Sequence, residues 1–314
     1  MLYGKEGTFA TTVDPANTIN FLLRFEATTT ENRVEEPVIG GGRDLFGRVW
    51  TMQEVAGVIE QQPLSGALLQ YVLGTVANTT TSPYVHTLVP DTVVPSFTAI
   101  RAVRSPDEFI QYVGCKVDSA EITCEAEEDV RFVFNFVAQS ASTISDSWSA
   151  PGLDATANPF AYYHGEVLYK GETMGNVQRV VIELNNNLEA RYAVGGTLTP
   201  AYGAQEIREG AFEVSGRILF GYPLGSLANE VFTARNTVGV TLQVTLGKTT
   251  YPGATIQFNF PNIAFGEFAD EVVGADIYEV EIPFTARAIG TADIQRAVYV
   301  VHTGLKGTFD DYVA

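Results

Sequence analysis

EVAGVIEQQPLSGALLQYV, residues 54–72, and EVSGRILFGYPLGSLANEV, residues 213–231, are two versions of one pattern. Glu54, Val55, Gly57 and Ile59 match Glu213, Val214, Gly216 and Ile218, and one residue of slippage brings Pro63 onto Pro223. Each stretch opens with the period-two alternation of a strand and reaches a proline suited to the first turn of a helix. The predicted helices carry Leu64, Ala67, Leu68, Tyr71 and Val72 in one case and Leu224, Leu227, Ala228, Val231 and Phe232 in the other. Both sets follow i, i+3, i+4, i+7, i+8, the stripe of a short helix lying on a core. Two such stripes after matching strands point to an internal duplication.

The parallel continues downstream. Residues 110–138 and 256–286 both begin Ile-Gln-aromatic, pass an acidic middle and end in an alternating strand. That strand predicts Val130, Phe132, Phe134 and Phe136 on one face of the first copy, and Tyr278, Val280, Ile282 and Phe284 in the second. Arg131, Asn135, Glu279 and Glu281 fall on the opposite, polar faces, as in antiparallel sheet packed on one side. Ser, Ala, Pro and Asn crowd residues 139–165, which read as a connection. The division expected is a first domain with its N-terminal arm at 1–140, a linker at 141–165 and a second domain at 166–314. Residues 74–96 read as a long loop or hairpin, with a strand-hairpin counterpart at 235–253.

At 314 residues the chain is long enough for two ordinary domains. It is 46% hydrophobic and 18% charged, so it can bury cores. A net charge of −18 repels phosphate rather than gripping it, which argues against a nucleic-acid-binding protein of the usual kind. Cys115 and Cys124 fit no disulfide framework and read as buried free thiols. The start has neither the basic nor the apolar region of a secretory leader, and no run is long enough to cross a membrane as a helix. The expectation is a protein made and folded in a cytoplasm.

Catalytic chemistry is not visible. His86, His164 and His302 have no Cys or His at metal-ligand spacing, and nucleophile-elbow, P-loop and Cys-x-x-Cys motifs are missing from the sequence. Glu125, Glu127, Glu128 and Asp129 lack the spacing of a calcium loop and read as a charged turn. No enzyme activity, cofactor or metal is expected.

Several strings, in order, resemble the double-domain tail tube proteins of tailed phages. They are YGKEGTFATTV with IGGGR, HTLVPDTVVPSFTAI with QYVGCKVDSAEITCE, VVIELNNNLEARYAVGGTLTP with IREGAFEVSGRI, and IQFNFPNIAF. The resemblance implies a mainly β chain of two duplicated tail-tube domains, each an antiparallel β-sandwich or partial barrel with a short flanking α-helix. It implies a structural virion protein, assembled in the host cytoplasm, whose copies form stacked rings around a channel for viral DNA. Three two-domain chains would close a ring of six-fold pseudo-symmetry. The partners implied are further copies of the chain, the tape measure, the tail terminator and tail-tip or baseplate proteins, with DNA passing through unbound. The polar strand faces are then expected to line the channel, with Glu121, Thr123 and Asn135 in the first copy and Glu267, Glu279 and Glu281 in the second. The arm at 1–20 and the loop at 74–96 become candidates for ring-to-ring contacts.

Three alternatives stay open at this point. One is a carbohydrate-binding β-sandwich or virion adhesin using Trp148, Tyr162 and Tyr163. Another is a β-rich hydrolase with paired carboxylates. The third is the tube subunit of a contractile injection system.

Overall fold

The structure, a computed structural model, describes residues 1–13, 17–18, 22–35, 48–79, 84–104, 108–126, 128–144, 159–192, 203–221, 240–247, 254–266 and 279–304. Strands dominate them. The first ten are β1 (Leu2–Lys5), β2 (Asn17–Thr18), β3 (Leu22–Glu35), β4 (Arg48–Gln61), β5 (Gly74–Asn78), β6 (Tyr84–Pro90), β7 (Phe97–Arg104), β8 (Glu108–Glu125), β9 (Arg131–Ala138) and β10 (Ser140–Ile144). The next ten are β11 (Ala161–Tyr169), β12 (Glu172–Thr173), β13 (Val177–Asn185), β14 (Glu189–Arg191), β15 (Glu206–Arg208), β16 (Glu213–Gly221), β17 (Val240–Gly247), β18 (Thr255–Phe265), β19 (Glu279–Ala286) and β20 (Tyr299–Gly304). The segment read as a linker thus begins in β10 and ends in β11.

Eighteen of these strands join one antiparallel hydrogen-bonded network, and β14 with β15 forms a separate two-stranded ribbon. The main sheet runs β3-β4-β9-β8-β13-β16-β19-β18. A second layer is built by the other ends of β8 and β18. Over Glu108–Cys115, β8 pairs with β7, and β10 and β1 extend that layer. The N-terminal part of β18 pairs with β17 and β20, and β11 lies on β17. The chain crosses between layers within β8 at Gly114, whose φ of 68° suits glycine.

Alternation sorts the main sheet as predicted. Val130, Phe132, Phe134 and Phe136 are buried, as are Val280, Ile282 and Phe284, while Arg131 and Asn135 are exposed; Tyr278 lies outside the described residues. The core of one half runs into that of the other as one cluster. Cys115 and Cys124 are free and buried, and burial pushes both thiols up, Cys124 to about 12.

The helix differs from its expectation. It starts at Ala67, with a 3₁₀ turn over Ala67–Leu69 leading into α1 (Gln70–Leu73), not at Pro63. Ser65 and Gly66 form a turn first: the Ala67 N–H donates to Ser65 Oγ at 3.3 Å, and the Leu69 N–H to the Gly66 carbonyl at 3.0 Å. Every residue from Ala67 to Leu73 is buried, so the helix is enclosed rather than lying on the core with one face in water. The second predicted helix lies outside the described residues.

The arm and the 74–96 segment are also more ordered than a free arm and loop. Strand β1 lies in the sheet against β7, with Leu2 and Tyr3 buried. The buried Glu6 carboxylate accepts hydrogen bonds from Thr98 Oγ1 (2.8 Å), the Gly114 N–H (2.9 Å) and the Ala10 N–H (2.9 Å). Three donors satisfy a carboxylate that would otherwise be costly to bury. Strands β5 and β6 make a hairpin, and β6 pairs with β20 so that His86 and His302 stand opposite each other, ring centroids 5.6 Å apart.

Contacts of this kind tie the first 140 residues to the rest. Asn186 Nδ2 donates to the Val72 and Val117 carbonyls at 3.1 and 2.9 Å. Lys116 Nζ donates to the Ile207 carbonyl at 3.0 Å and pairs with Glu209 at 2.6 Å. Glu209 also accepts the Val94 N–H at 3.0 Å.

Candidate functional surface: the polar face of the main sheet

Strand pleat puts every second residue of the main sheet on the face away from the core. Register brings those residues into rows. Glu121 of β8 is opposite Val133 of β9 and Glu183 of β13, and Glu183 is opposite Ser215 of β16. One step along, Ser119 is opposite Asn135 and Asn185, and Asn185 is opposite Glu213. Thr123, opposite Arg131 and Val181, belongs to the same face. So does Glu281, which reaches Arg179 at 3.3 Å and Arg217 at 3.5 Å.

The structure therefore gathers Glu121, Thr123, Asn135 and Glu281 on one surface. Glu279 begins β19 opposite Gly221, and Glu267 lies outside the described residues. Sequence reading missed Glu183, Glu213, Arg179 and Arg217. The stretch VQRVVIELN carries apolar residues at both parities, which hides the pleat, and only the pairing with β8 reveals which parity faces outward.

The electrostatics of this face are acidic. Its arginines are engaged: Arg24 with Glu26, Arg131 with Glu60 and Glu128, and Arg179 and Arg217 with Glu281. Glu121 and Glu183 sit directly across the β8–β13 pair, an arrangement of like charges that costs stability. Each takes a hydroxyl donor from its own side, Thr123 Oγ1 at 3.3 Å and Ser215 Oγ at 3.2 Å. Glu121, Glu183 and Ser215, with Asn135 and Glu213, rim a shallow depression of about 270 Å³.

Such a surface offers carboxylates and hydroxyls in rows, with no nucleophile poised on a base among the described residues. The two described carboxyls held below their ordinary range are Glu26, by a hydrogen bond from Arg24, and Asp91, by one from Thr75. A catalytic acid would need the opposite shift. Tyr162, the member of the aromatic trio whose side chain is described, is 9% exposed and donates its hydroxyl to the Val177 carbonyl at 3.2 Å, so it offers no platform for a sugar ring. Trp148 lies outside the described residues. Among the described residues no helix is long and apolar enough to cross a membrane, and no His, Cys, Asp and Glu side chains gather as a metal site.

A family model described as phage tail tube protein matches residues 1–286. No curated protein matches the chain. The match takes in the main sheet and its acidic face nearly whole. On that coverage the chain belongs to the phage tail tube protein family, a structural and non-enzymatic component of the phage tail.

Proposed function

We propose that the chain is a tandem pair of tail-tube domains, and that three copies close into a ring whose acidic sheet face lines the channel for viral DNA. The observation that carries this reading is the β8–β13 joint. There the last strand of one four-stranded run, β3-β4-β9-β8, pairs with the first strand of another, β13-β16-β19-β18.

Strand-by-strand correspondence supports the duplication. Tyr3 of β1 pairs with Ala99 of β7, and Tyr169 of β11 with Leu242 of β17. The registers of β7–β8 and β17–β18 break at matching places, between Phe97 and Ala99 and between Val240 and Leu242. Gly57 pairs with Phe136, and Gly216 with Phe284. These registers align Tyr112 with Phe260, two residues away from the Ile-Gln match in sequence. They also align LYGKE (2–6) with LYKGE (168–172).

The run of eight strands has two ends. Strand β3 pairs only with β4 among the described residues. Its exposed Leu23, Thr28, Thr29 and Thr30 contrast with the buried Val180, Val181, Ile182 and Leu184 of β13, its counterpart. A long bare edge of this kind is a template for another chain. At the other end stands β18, counterpart of β8; of the residues matching Ser119–Glu125, the part of β8 that meets β13, Gly266 is described and the rest lie outside the described residues. If β18 meets β3 of the next copy as β8 meets β13, the sheet closes on itself. Three chains supply 24 strands; at ~4.8 Å spacing and ~40° tilt that barrel is roughly 50 Å across between backbones. Six chains would give about twice that, far more than one DNA duplex requires.

The joint Ser119↔Asn185 maps onto Gly266 and Thr30 of two neighbouring copies. With Thr30→Cys and Gly266→Cys together, oxidation of assembled tubes is expected to give a covalent ladder on denaturing gels that ends at three chains. A ladder running past three, or no covalent product from tubes seen by electron microscopy, would rule the ring out. The channel assignment has its own test. Glu121→Arg with Glu183→Arg is expected to slow DNA ejection from intact particles several-fold, because new cations would hold phosphates. Unchanged ejection kinetics would move the acidic face to the outside of the tube. The tape measure, tail terminator and tail-tip proteins are the further partners of this reading.

A further inference from the structure

The β13–β16 pair continues past Asn185↔Glu213 into the β14–β15 ribbon, which folds over the first half of the chain. Its seat is well defined. Glu209 takes Lys116 and the Val94 N–H, Gly203 abuts the Gln139 backbone, and Ala204 and Ile207 are each 1% exposed. Gln139 and Ser140, just past the end of β9, are buried there.

The equivalent place on the second half is empty among the described residues. Arg287 and Ala288, which follow β19 as Gln139 and Ser140 follow β9, are exposed. They border a cavity of about 590 Å³ that is also lined by Asp91, Glu213 and Arg296. The Arg296 Nε is buried with no hydrogen-bond acceptor among the described residues. Meanwhile the strands matching β13 and β16, namely β3 and β4, run on past the buried Gln53 with no further strand paired to them among the described residues. Strand β9 accompanies β4 only from Val55 to Gln61, yet β3 and β4 stay paired from Thr30↔Glu54 out to Glu35↔Arg48. A two-stranded ribbon projecting alone is marginally stable in water.

We propose that this cavity is the seat for the projecting β3–β4 ribbon of a second copy of the chain. The proposal rests on the tandem, ring-forming reading above and deepens it. Each copy would hold its neighbour twice, through the strand joint and through the ribbon lying over the neighbour's second half, as β14–β15 lies over the first half within one chain.

A photo-crosslinking residue, p-benzoylphenylalanine, placed at position 288 and irradiated in assembled tubes, tests it. The expected product joins two chains and maps by mass spectrometry onto β3, β4 or their connection. Tubes whose crosslinks map to another segment, or join no two chains, overturn the seat and leave the tube reading intact. Failure of the unsubstituted chain to form tubes overturns both. In a second measurement, Ala288→Trp fills the cavity and is expected to cut tube yield about tenfold or more with the melting of the free chain unchanged; full yield overturns the proposal.

Discussion

Glu209→Ala is expected to lower the stability of the chain by about 3 kcal/mol, read as a shift of the urea midpoint at constant slope. The Lys116 side chain is only 8% exposed and that of Glu209 19%, so water screens the pair poorly. Removing the carboxylate leaves a buried ammonium with the Ile207 carbonyl at 3.0 Å and the Phe9 ring at 5.4 Å as its remaining company. It also leaves the Val94 N–H without its acceptor. Those residual contacts hold the cost near the lower end of the range for a broken buried pair. Lys116→Met with Glu209→Leu should recover much of the loss, since an apolar pair carries no stranded charge. If the single substitution leaves the midpoint in place, the β14–β15 ribbon is held by its apolar side alone.

Gly216→Val is expected to cost about 3 kcal/mol or more, and Gly57→Val a similar amount. A β-carbon at Gly216 would lie 2.4 Å from Phe284 Cζ and 2.4 Å from the Val181 carbonyl oxygen; at Gly57 it would lie 2.5 Å from both Phe136 Cζ and the Glu26 carbonyl oxygen. The ring could swing away, but the carbonyl belongs to the neighbouring strand and moves only if the sheet opens. Phenylalanine therefore lies across glycine in both halves, filling the space the missing side chain leaves. Thermal unfolding of the two variants is the measurement; an unmoved midpoint in either would mean the ring does not cover the glycine.

The strand faces were legible because a sheet with one wet side writes its pleat into the sequence, as in Arg131 to Ala138. The helix was misplaced for the opposite reason. Ala67–Leu73 is enclosed on all sides, so it has no polar face to give its phase, and Pro63 supplied a start signal that the Ser65–Gly66 turn overrode. Strand β8 serves two layers, and nothing local says that its C-terminal part will pair with β13. Partner choice between strands depends on the whole fold. The same holds for the acidic face: Glu121 was visible in its own strand, whereas Glu183 became its neighbour only through the β8–β13 register. The Lys116–Glu209 pair was equally silent, two ordinary charges far apart in the chain.

The pairing of β6 with β20 bears on how the protein is made. Residues Tyr84–Gly304 include nearly the whole second half of the chain, and β6 has no partner on its far side until β20 has left the ribosome. Domains ordinarily fold as they emerge; here a strand of the first half waits for the last described strand of the chain. A subunit cut short during translation would leave β6 as an open edge and His86 uncovered. Synthesis as far as β20 thus becomes a condition for a finished first half.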